Sequence, residues 1–164
     1  MAEFRLRFVR GRAWDSRLIE FQTRAWCSHV EYLNDQGTAT FGAQLKRGIR
    51  WRMLDNPCYR AVERYEVWGI PIEAWQEKVF FDFVFETAGA PYDWRAIVSF
   101  AFGERDWREP GSWFCSELMA RALEKMQVIK IPGKIPMDRI TPRDLYLLFT
   151  SLKGCQFVDH RGGR

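Results

Sequence analysis

Apolar and polar residues alternate along several short stretches of the chain, as expected of strands that bury one face. The pattern is clear in Glu3–Val9, and it recurs in Trp26–Leu33 and Thr38–Leu45. The segment Asn34–Gly37 has the composition of a turn, so the second and third stretches are predicted to form a hairpin. Weaker patterns predict two further strands, Tyr59–Val67 and Gln156–Val158.

Helical periodicity predicts the remaining elements. The segment Glu73–Ala88 has the apolar spacing of a helix that packs one face on a core, with Trp75, Val79, Phe80, Phe83 and Val84 on that face. Shorter helices are predicted at Trp14–Arg24, Trp94–Phe102 and Arg143–Phe149, with Asp93 as the N-cap of the second. Residues Lys46–Tyr59 contain turn signals but no consistent period. The mixture of strands and helices predicts an α+β domain.

Length and composition indicate one domain. The chain has 164 residues, of which 47% are hydrophobic, enough for a single domain that spans residues 1–164, with its core at about residues 14–149. The final residues, 160–164, form a polar tail that includes His160. The net charge of +4 comes from 25 basic and 21 acidic residues in mixed order, which does not indicate a nucleic-acid partner. Several arginines are clustered near the N-terminus, and this cluster is compatible with a weak attraction to anionic surfaces.

Other classes of protein are not supported by the sequence. Charged residues interrupt the N-terminal segment, so no signal peptide is predicted, and no apolar run reaches the length of a membrane span. We therefore expect a cytoplasmic protein as encoded. The chain has four cysteines at irregular spacing, Cys27, Cys58, Cys115 and Cys155. This spacing predicts neither a disulfide framework nor a zinc site, and no cofactor or metal is expected.

Cys115 is the candidate nucleophile because the pattern places it in the first turn of a helix that continues to Met126. Unpaired backbone N–H groups and the positive end of the helix dipole favour a thiolate at that position. The alternative is that Cys115 is a small buried apolar residue, as most unpaired cysteines are.

His29 is the candidate partner of this cysteine, and it lies on the first strand of the predicted hairpin. A two-residue turn at Gln36-Gly37 places His29 opposite Gln44, whereas a three-residue loop with a bulge shifts the register by one position. We favour the first register, and with it Gln44 as the residue that orients the imidazole. Glu31, two residues along the same strand face, is the rival orienting group. The alternative is that His29 is an ordinary histidine of the sheet with no role in catalysis.

Three segments together resemble a known family. They are Ser-His-Val-Glu at residues 28–31, Gly-Ala-Pro-Tyr-Asp-Trp at residues 89–94 and Phe-Cys-Ser-Glu-Leu at residues 114–118. These segments resemble the permuted papain-fold amidases of the NlpC/YiiX type, in which the histidine precedes the cysteine. A closing Pro-x-Asp-Leu segment within residues 140–145 is also similar. The resemblance covers about residues 14–149.

The resemblance implies a circularly permuted, papain-like domain in which an antiparallel sheet packs against the helix that bears the cysteine. It implies Cys115 as nucleophile, His29 as general base and then acid, and Gln44 as the third polar residue, where the family usually has a carboxylate. It also implies that the hydroxyl of Tyr92 helps to stabilise an oxyanion, although Tyr92 as plain packing is the alternative.

The function expected from this resemblance is hydrolysis of an amide bond through an acyl-enzyme, with a peptide of bacterial cell wall as the implied substrate. Two alternatives remain. One is a thiol acyltransferase or lipid esterase, and the other is a catalytically silent interaction module of the same fold. The sequence does not indicate an oligomeric state.

Overall fold

A six-stranded antiparallel sheet forms the centre of the molecule. The computed structural model describes residues 2–12, 14–44, 47–93, 112–131, 133 and 137–162. Its strands are β1 (Ala2–Gly11), β2 (His29–Leu33), β3 (Ala39–Gln44), β4 (Gly48–Met53), β5 (Val62–Ile72) and β6 (Gln156–Arg161). Its helices are α1 (Trp14–Thr23), α2 (Ala74–Thr87), α3 (Cys115–Lys125) and α4 (Pro142–Thr150). The order of the strands is β4-β3-β2-β1-β5-β6, and the predicted α+β class is confirmed.

The two faces of the sheet differ in chemistry because β1 alternates. Phe4 contacts Phe80 of α2 and Phe149 of α4, and Phe8 contacts Phe149, so this face carries the apolar core. Arg7 lies between these positions and faces the opposite side, where it pairs with a carboxylate on β2. Helix α3 packs on β2 and β3 and buries Leu118, Met119 and Leu123 completely. The sheet therefore has one apolar, helix-covered face and one face with buried charge.

The hairpin of β2 and β3 has the register expected from a turn at Gln36-Gly37, with Tyr32 opposite Phe41 and Leu33 opposite Thr40. Its turn is different in detail. The N–H of Gly37 donates to the carbonyl of Asn34 at 2.9 Å, so Asp35 and Gln36 are the central residues and Gly37 follows with φ +66°. The Asn34 side chain stabilises this turn by accepting from the N–H groups of Thr38 and Ala39, at 2.8 and 2.9 Å.

Several sequence expectations require correction. Strand β4 arises within the region that gave no period, because its exposed Trp51 and Met53 blur the alternation. Tyr59 lies in the 3-10 turn Pro57–Ala61, and the strand that follows begins only at Val62. Trp75 was expected in the core, but it is half exposed on α2. The helix predicted at Trp94–Phe102 lies outside the described residues.

The beginning of β4 fixes the segment that leads to Tyr92. The N–H of Ile49 donates to the carbonyl of Ala90 at 3.0 Å, and the N–H of Gly89 donates back to Ile49 at 2.8 Å. A Cβ at Gly48 would lie 2.7 Å from the Ala90 oxygen, and Gly48 has φ +68°, so only glycine fits here without strain.

Among the described helices, none combines the length and apolar character that crossing a membrane requires.

The close approach of Gly48 to Ala90 leads to a prediction about stability. Replacing Gly48 by Ala is expected to lower the free energy of unfolding by about 2 to 4 kcal/mol, from the left-handed backbone and the overlap with Ala90. Gly37 is a matched control, because its φ is +66° but a Cβ there meets no atom within 4 Å. Gly37→Ala should therefore cost only about 1 to 2 kcal/mol. Equal losses for the two variants in urea unfolding would mean that the Ala90 contact does not limit residue size at position 48.

Candidate active site

Cys115 is the first residue of α3, and its side chain is buried. Phe114 precedes it in an extended conformation, with φ −88° and ψ 152°, and its apolar side chain makes no capping hydrogen bond. The apolar residues of α3 fix the helix on β2 and β3, and its first residue, Cys115, forms a side-chain hydrogen bond with His29 of β2. The sequence thus positions a thiol where a helix terminus favours negative charge.

His29 is the first residue of β2, and the structure brings it to Cys115. The chain before it is held by the N–H of Ser28, which donates to the carbonyl of Val9 at 2.9 Å. Burial by itself lowers the pKa of His29, but the charge and hydrogen bond of Cys115, followed by those of Glu31, outweigh burial and raise this pKa to about 9. The imidazole therefore lies between two groups that favour its protonated form.

Glu31 is a completely buried carboxylate with three partners. Its Oε1 accepts from Arg7 Nη1 at 2.8 Å, and Arg7 faces it directly across β1 and β2. Its Oε2 accepts from the Tyr59 hydroxyl at 3.2 Å and lies 3.5 Å from His29 Nε2. Burial raises the pKa of Glu31, but His29 and then Arg7 outweigh it, so the net pKa is lowered. Glu31 is thus held as an anion beside the imidazole.

Small and polar residues of the neighbouring strand make room for this carboxylate. A Cβ at Gly42 would lie 3.0 Å from the Glu31 Cβ, closer than side chains normally approach. The Thr40 hydroxyl shares a hydrogen bond with the Tyr59 hydroxyl, which in turn donates to Glu31. The whole network lies under the 3-10 turn that carries Tyr59, so Glu31 has little freedom to move.

Gln44, the orienting residue favoured from the sequence, lies at the end of β3 on the wall of the same cavity. The described contacts of His29 are with Cys115 and Glu31, so the geometry favours Glu31 for this role. The reason is that the pairing of β2 with β3 extends only over Tyr32–Phe41 and Leu33–Thr40 in the described strands. His29 and Gln44 lie beyond the paired part, where register no longer fixes a cross-strand contact.

Tyr92 is brought to the site by the main chain on the N-terminal side of Cys115. Residues 92 and 113 form a parallel bridge, in which the N–H of Asp93 donates to Trp113 at 3.1 Å and the N–H of Trp113 donates to Pro91 at 3.2 Å. The Tyr92 ring lies 6.0 Å from that of Phe114. Tyr92 also lines a cavity of about 220 Å³, and His29, Glu31, Gln44 and Tyr59 are among the other residues of its lining. All five predicted site residues therefore lie in one region.

Two functional candidates were missed from the sequence, Arg7 and Tyr59. The strand pattern placed Arg7 on the polar face of β1, but nothing in the sequence showed that this face is buried. Tyr59 gave no signal, because it lies in a turn without periodicity. Among the other described cysteines, burial raises the pKa of Cys27 to about 12 and that of Cys155 to about 11.

The fold and site together define an α+β domain with a cysteine at a helix start and a histidine on a neighbouring strand. A crystal structure described as the metalloprotein YiiX from Escherichia coli O157:H7, DUF1105, is similar, with a TM-score of 0.70 over 97% of each chain at 13% identity. The chain therefore has a YiiX-like fold. No protein-family model and no curated protein matches the sequence.

The description of YiiX as a metalloprotein concerns that protein. In the part of this chain that the structure describes, no group of three or more His, Cys, Asp and Glu side chains is arranged to hold a metal ion. The Glu31 carboxylate already has Arg7, Tyr59 and His29 as partners. The described residues thus do not fit a metal at this site.

The titration of His29 provides a direct test of the site. The pKa of His29, about 9, should fall when Cys115 is replaced by Ala, because Cys115 raises this pKa more than Glu31 does. Glu31→Gln should lower it as well. The measurement is NMR with labelled histidine, which is simple because the chain has two histidines. His160 is an internal reference, and a His29 pKa that neither variant changes would contradict the described contacts.

Proposed function

We propose that the protein is a cysteine-dependent hydrolase that cleaves an amide bond through an acyl-enzyme, and that its domain is a permuted papain-like one. The observation that carries the proposal is the position of His29 between the Cys115 thiol and a buried carboxylate. This order of nucleophile, imidazole and orienting polar group is that of thiol hydrolases. The YiiX-like fold and the order of histidine before cysteine support it.

Acylation begins with attack of the Cys115 sulfur, as thiolate, on the carbonyl carbon of the substrate. A C–S bond forms and the carbonyl oxygen becomes an oxyanion, toward which the Cys115 backbone N–H and the Tyr92 hydroxyl are the proposed donors. His29, protonated at neutral pH because of its raised pKa, gives its proton to the leaving nitrogen. The C–N bond then breaks, the amine departs, and a thioester remains on Cys115.

Deacylation uses the same groups in reverse. Neutral His29 takes a proton from water, and the oxygen of that water attacks the thioester carbon. When the C–S bond breaks, the carboxylic acid leaves and sulfur recovers the thiolate beside imidazolium. Glu31 orients the His29 ring in both steps. Arg7 and Tyr59 hold Glu31 in place, so Arg7 and Tyr59 act as positioning residues.

The proposed substrate class comes from the sequence resemblance and the size of the cavity. A peptide of bacterial cell wall is proposed from the sequence resemblance alone, and the cavity of about 220 Å³ matches a short peptide segment or a single acyl group equally well. An acyltransferase would form the same thioester and differ only in the group that accepts the acyl chain. Product analysis therefore separates hydrolysis from transfer.

Formation of the acyl-enzyme can be measured with p-nitrophenyl acetate. The wild-type protein should release a burst of p-nitrophenol equal to the amount of enzyme and gain one acetyl group at Cys115 in the intact mass. Cys115→Ala should abolish the burst, because no thioester can form. Cys155→Ala, the matched control, should leave it unchanged, since the pKa of Cys155 is raised to about 11.

Labelling of all four cysteines at equal rates by iodoacetamide would contradict the proposal. A burst that survives Cys115→Ala would do the same. Adding an amine as acyl acceptor then distinguishes the reactions, because a hydrolase releases acetate whereas a transferase releases the acetylated amine.

The residue that orients His29 can be identified from the pH dependence of the rate at which an amide substrate is hydrolysed. His29 must be protonated to release the amine, so activity on an amide should fall as the pH rises through about 9. Glu31→Gln removes a group that raises this pKa, so the fall should move to lower pH and the rate should drop about 10- to 100-fold. Gln44→Ala should keep the wild-type profile. A profile shifted by Gln44→Ala but not by Glu31→Gln would assign the role to Gln44 instead.

A further inference from the structure

The side of α2 that faces away from the core carries three large aromatic residues. Trp75 and Phe81 are nearly half exposed, and Phe85 is 88% exposed. The opposite side of the helix packs in the core through Phe80, Phe83, Val84 and Thr87. The exposed aromatic residues therefore do not belong to the core of the domain. Large apolar residues grouped on one part of a surface are typical of a contact with another molecule.

Two opposite charges lie between these aromatic residues. The side chains of Lys78 and Asp82 are 76% and 59% exposed, and Lys78 Nζ lies 2.6 Å from Asp82 Oδ2. From Trp75 through these two residues to Phe85 the spacing is three, four and three positions, which keeps all four side chains on one side of a helix. We call this surface the α2 face; it consists of Trp75, Lys78, Phe81, Asp82 and Phe85.

The order of residues on the α2 face is self-complementary. When the helix lies antiparallel to its own copy, with a twofold axis at Phe80, each residue faces the one at equal distance on the other side of this centre. Trp75 then lies opposite Phe85 of the second copy, and Lys78 lies opposite Asp82 of the second copy. A parallel arrangement would instead place each charge opposite the same charge. The charges therefore favour the antiparallel pair.

We propose that the α2 face is the interface of a homodimer in which the α2 helices of two copies pack antiparallel about a twofold axis. Such an interface uses the same surface on both copies, and this requires the self-complementary order that α2 has. Each Lys78 would contact Asp82 of its own helix and Asp82 of the second copy, so four charges form one network. The aromatic residues would lose exposure to water on both sides of this network.

The expected dimer is weak. Its contact is made by one pair of helices, which is small compared with permanent interfaces, so we expect dissociation at about micromolar concentrations. The α2 face contains none of the residues of the proposed active site. Loss of the dimer and loss of hydrolysis are therefore separate outcomes.

Sedimentation velocity over a dilution series tests the proposal, and circular dichroism shows whether each variant is folded. The wild-type protein should change from dimer to monomer as it is diluted. Lys78→Asp and Asp82→Lys should each weaken the dimer at least about tenfold, because each places like charges opposite one another twice. The double variant Lys78→Asp/Asp82→Lys should dimerise as the wild type does, because both pairs are restored.

An equimolar mixture of the two single variants is the sharpest part of the test. The variant Lys78→Asp has two acidic residues on the α2 face, and the variant Asp82→Lys has two basic ones. In a mixed dimer every pair across the interface joins opposite charges, so the mixture should dimerise although each variant alone does not. Local changes within one helix cannot produce this rescue. A mixture that remains monomeric would overturn the proposal.

Two control variants separate the α2 face from general effects. Arg121→Asp reverses one charge of an exposed ion pair on α3, Arg121 with Glu124, and should leave the dimer unchanged. Phe85→Ser should weaken the dimer, whereas Phe21→Ser should not, since Phe21 is similarly exposed but lies on α1. A wild-type protein that is monomeric at every concentration would contradict the proposal. A dimer that persists in all variants would also contradict it, because the interface would then lie elsewhere.

Discussion

The ion pair of Arg7 and Glu31 is the interaction on which the site depends. Both side chains are almost completely buried, at 5% and 0% exposure, and removing two charges from water costs several kcal/mol for each ion. Close contact and further hydrogen bonds offset that cost, but only when every partner is present. Loss of one partner would leave an uncompensated charge, a change that costs about 3 to 5 kcal/mol in buried pairs. Such a pair has one favoured geometry, and that geometry directs Glu31 Oε2 toward His29.

The topology explains why this pair forms. Strand β1 lies between β2 and β5, so Arg7 faces Glu31 on one side and Val67 on the other. The apolar positions of the same strand contact α2 and α4, and both of these helices also pack against α3. One alternating strand therefore contributes both to the core that positions Cys115 and to the polar network that positions His29. Cys115 and His29 come from distant parts of the sequence, and this strand contributes to the position of both.

The extent to which the sequence predicts this arrangement depends on the kind of signal. Periodicity predicts β1, the hairpin and the helix at Cys115, because their apolar positions keep the period of a strand or a helix, although the structure buries polar positions of each element as well. It fails at β4, where exposed Trp51 and Met53 interrupt the pattern. Gln44 was favoured because an ideal ladder continues to its last residue, whereas the described pairing ends at Tyr32–Phe41. Arg7 and Tyr59 were missed because burial of a polar strand face depends on a turn that has no period of its own.

A carboxylate beside the imidazole has consequences that an amide would not have. The pKa of His29 is raised, so its contribution to stability is fully present below its ordinary value of 6.5 and is lost as the pH rises through about 9. The pKa of Glu31 is lowered, so its contribution is present above 4.5 and is lost as the pH falls below that value. Between these limits the same charges stabilise the fold and keep His29 protonated. An amide oxygen at this position could hold the tautomer of the ring, but it would not supply the charge that stabilises imidazolium. The buried carboxylate therefore couples the stability of the sheet to the protonated state of His29.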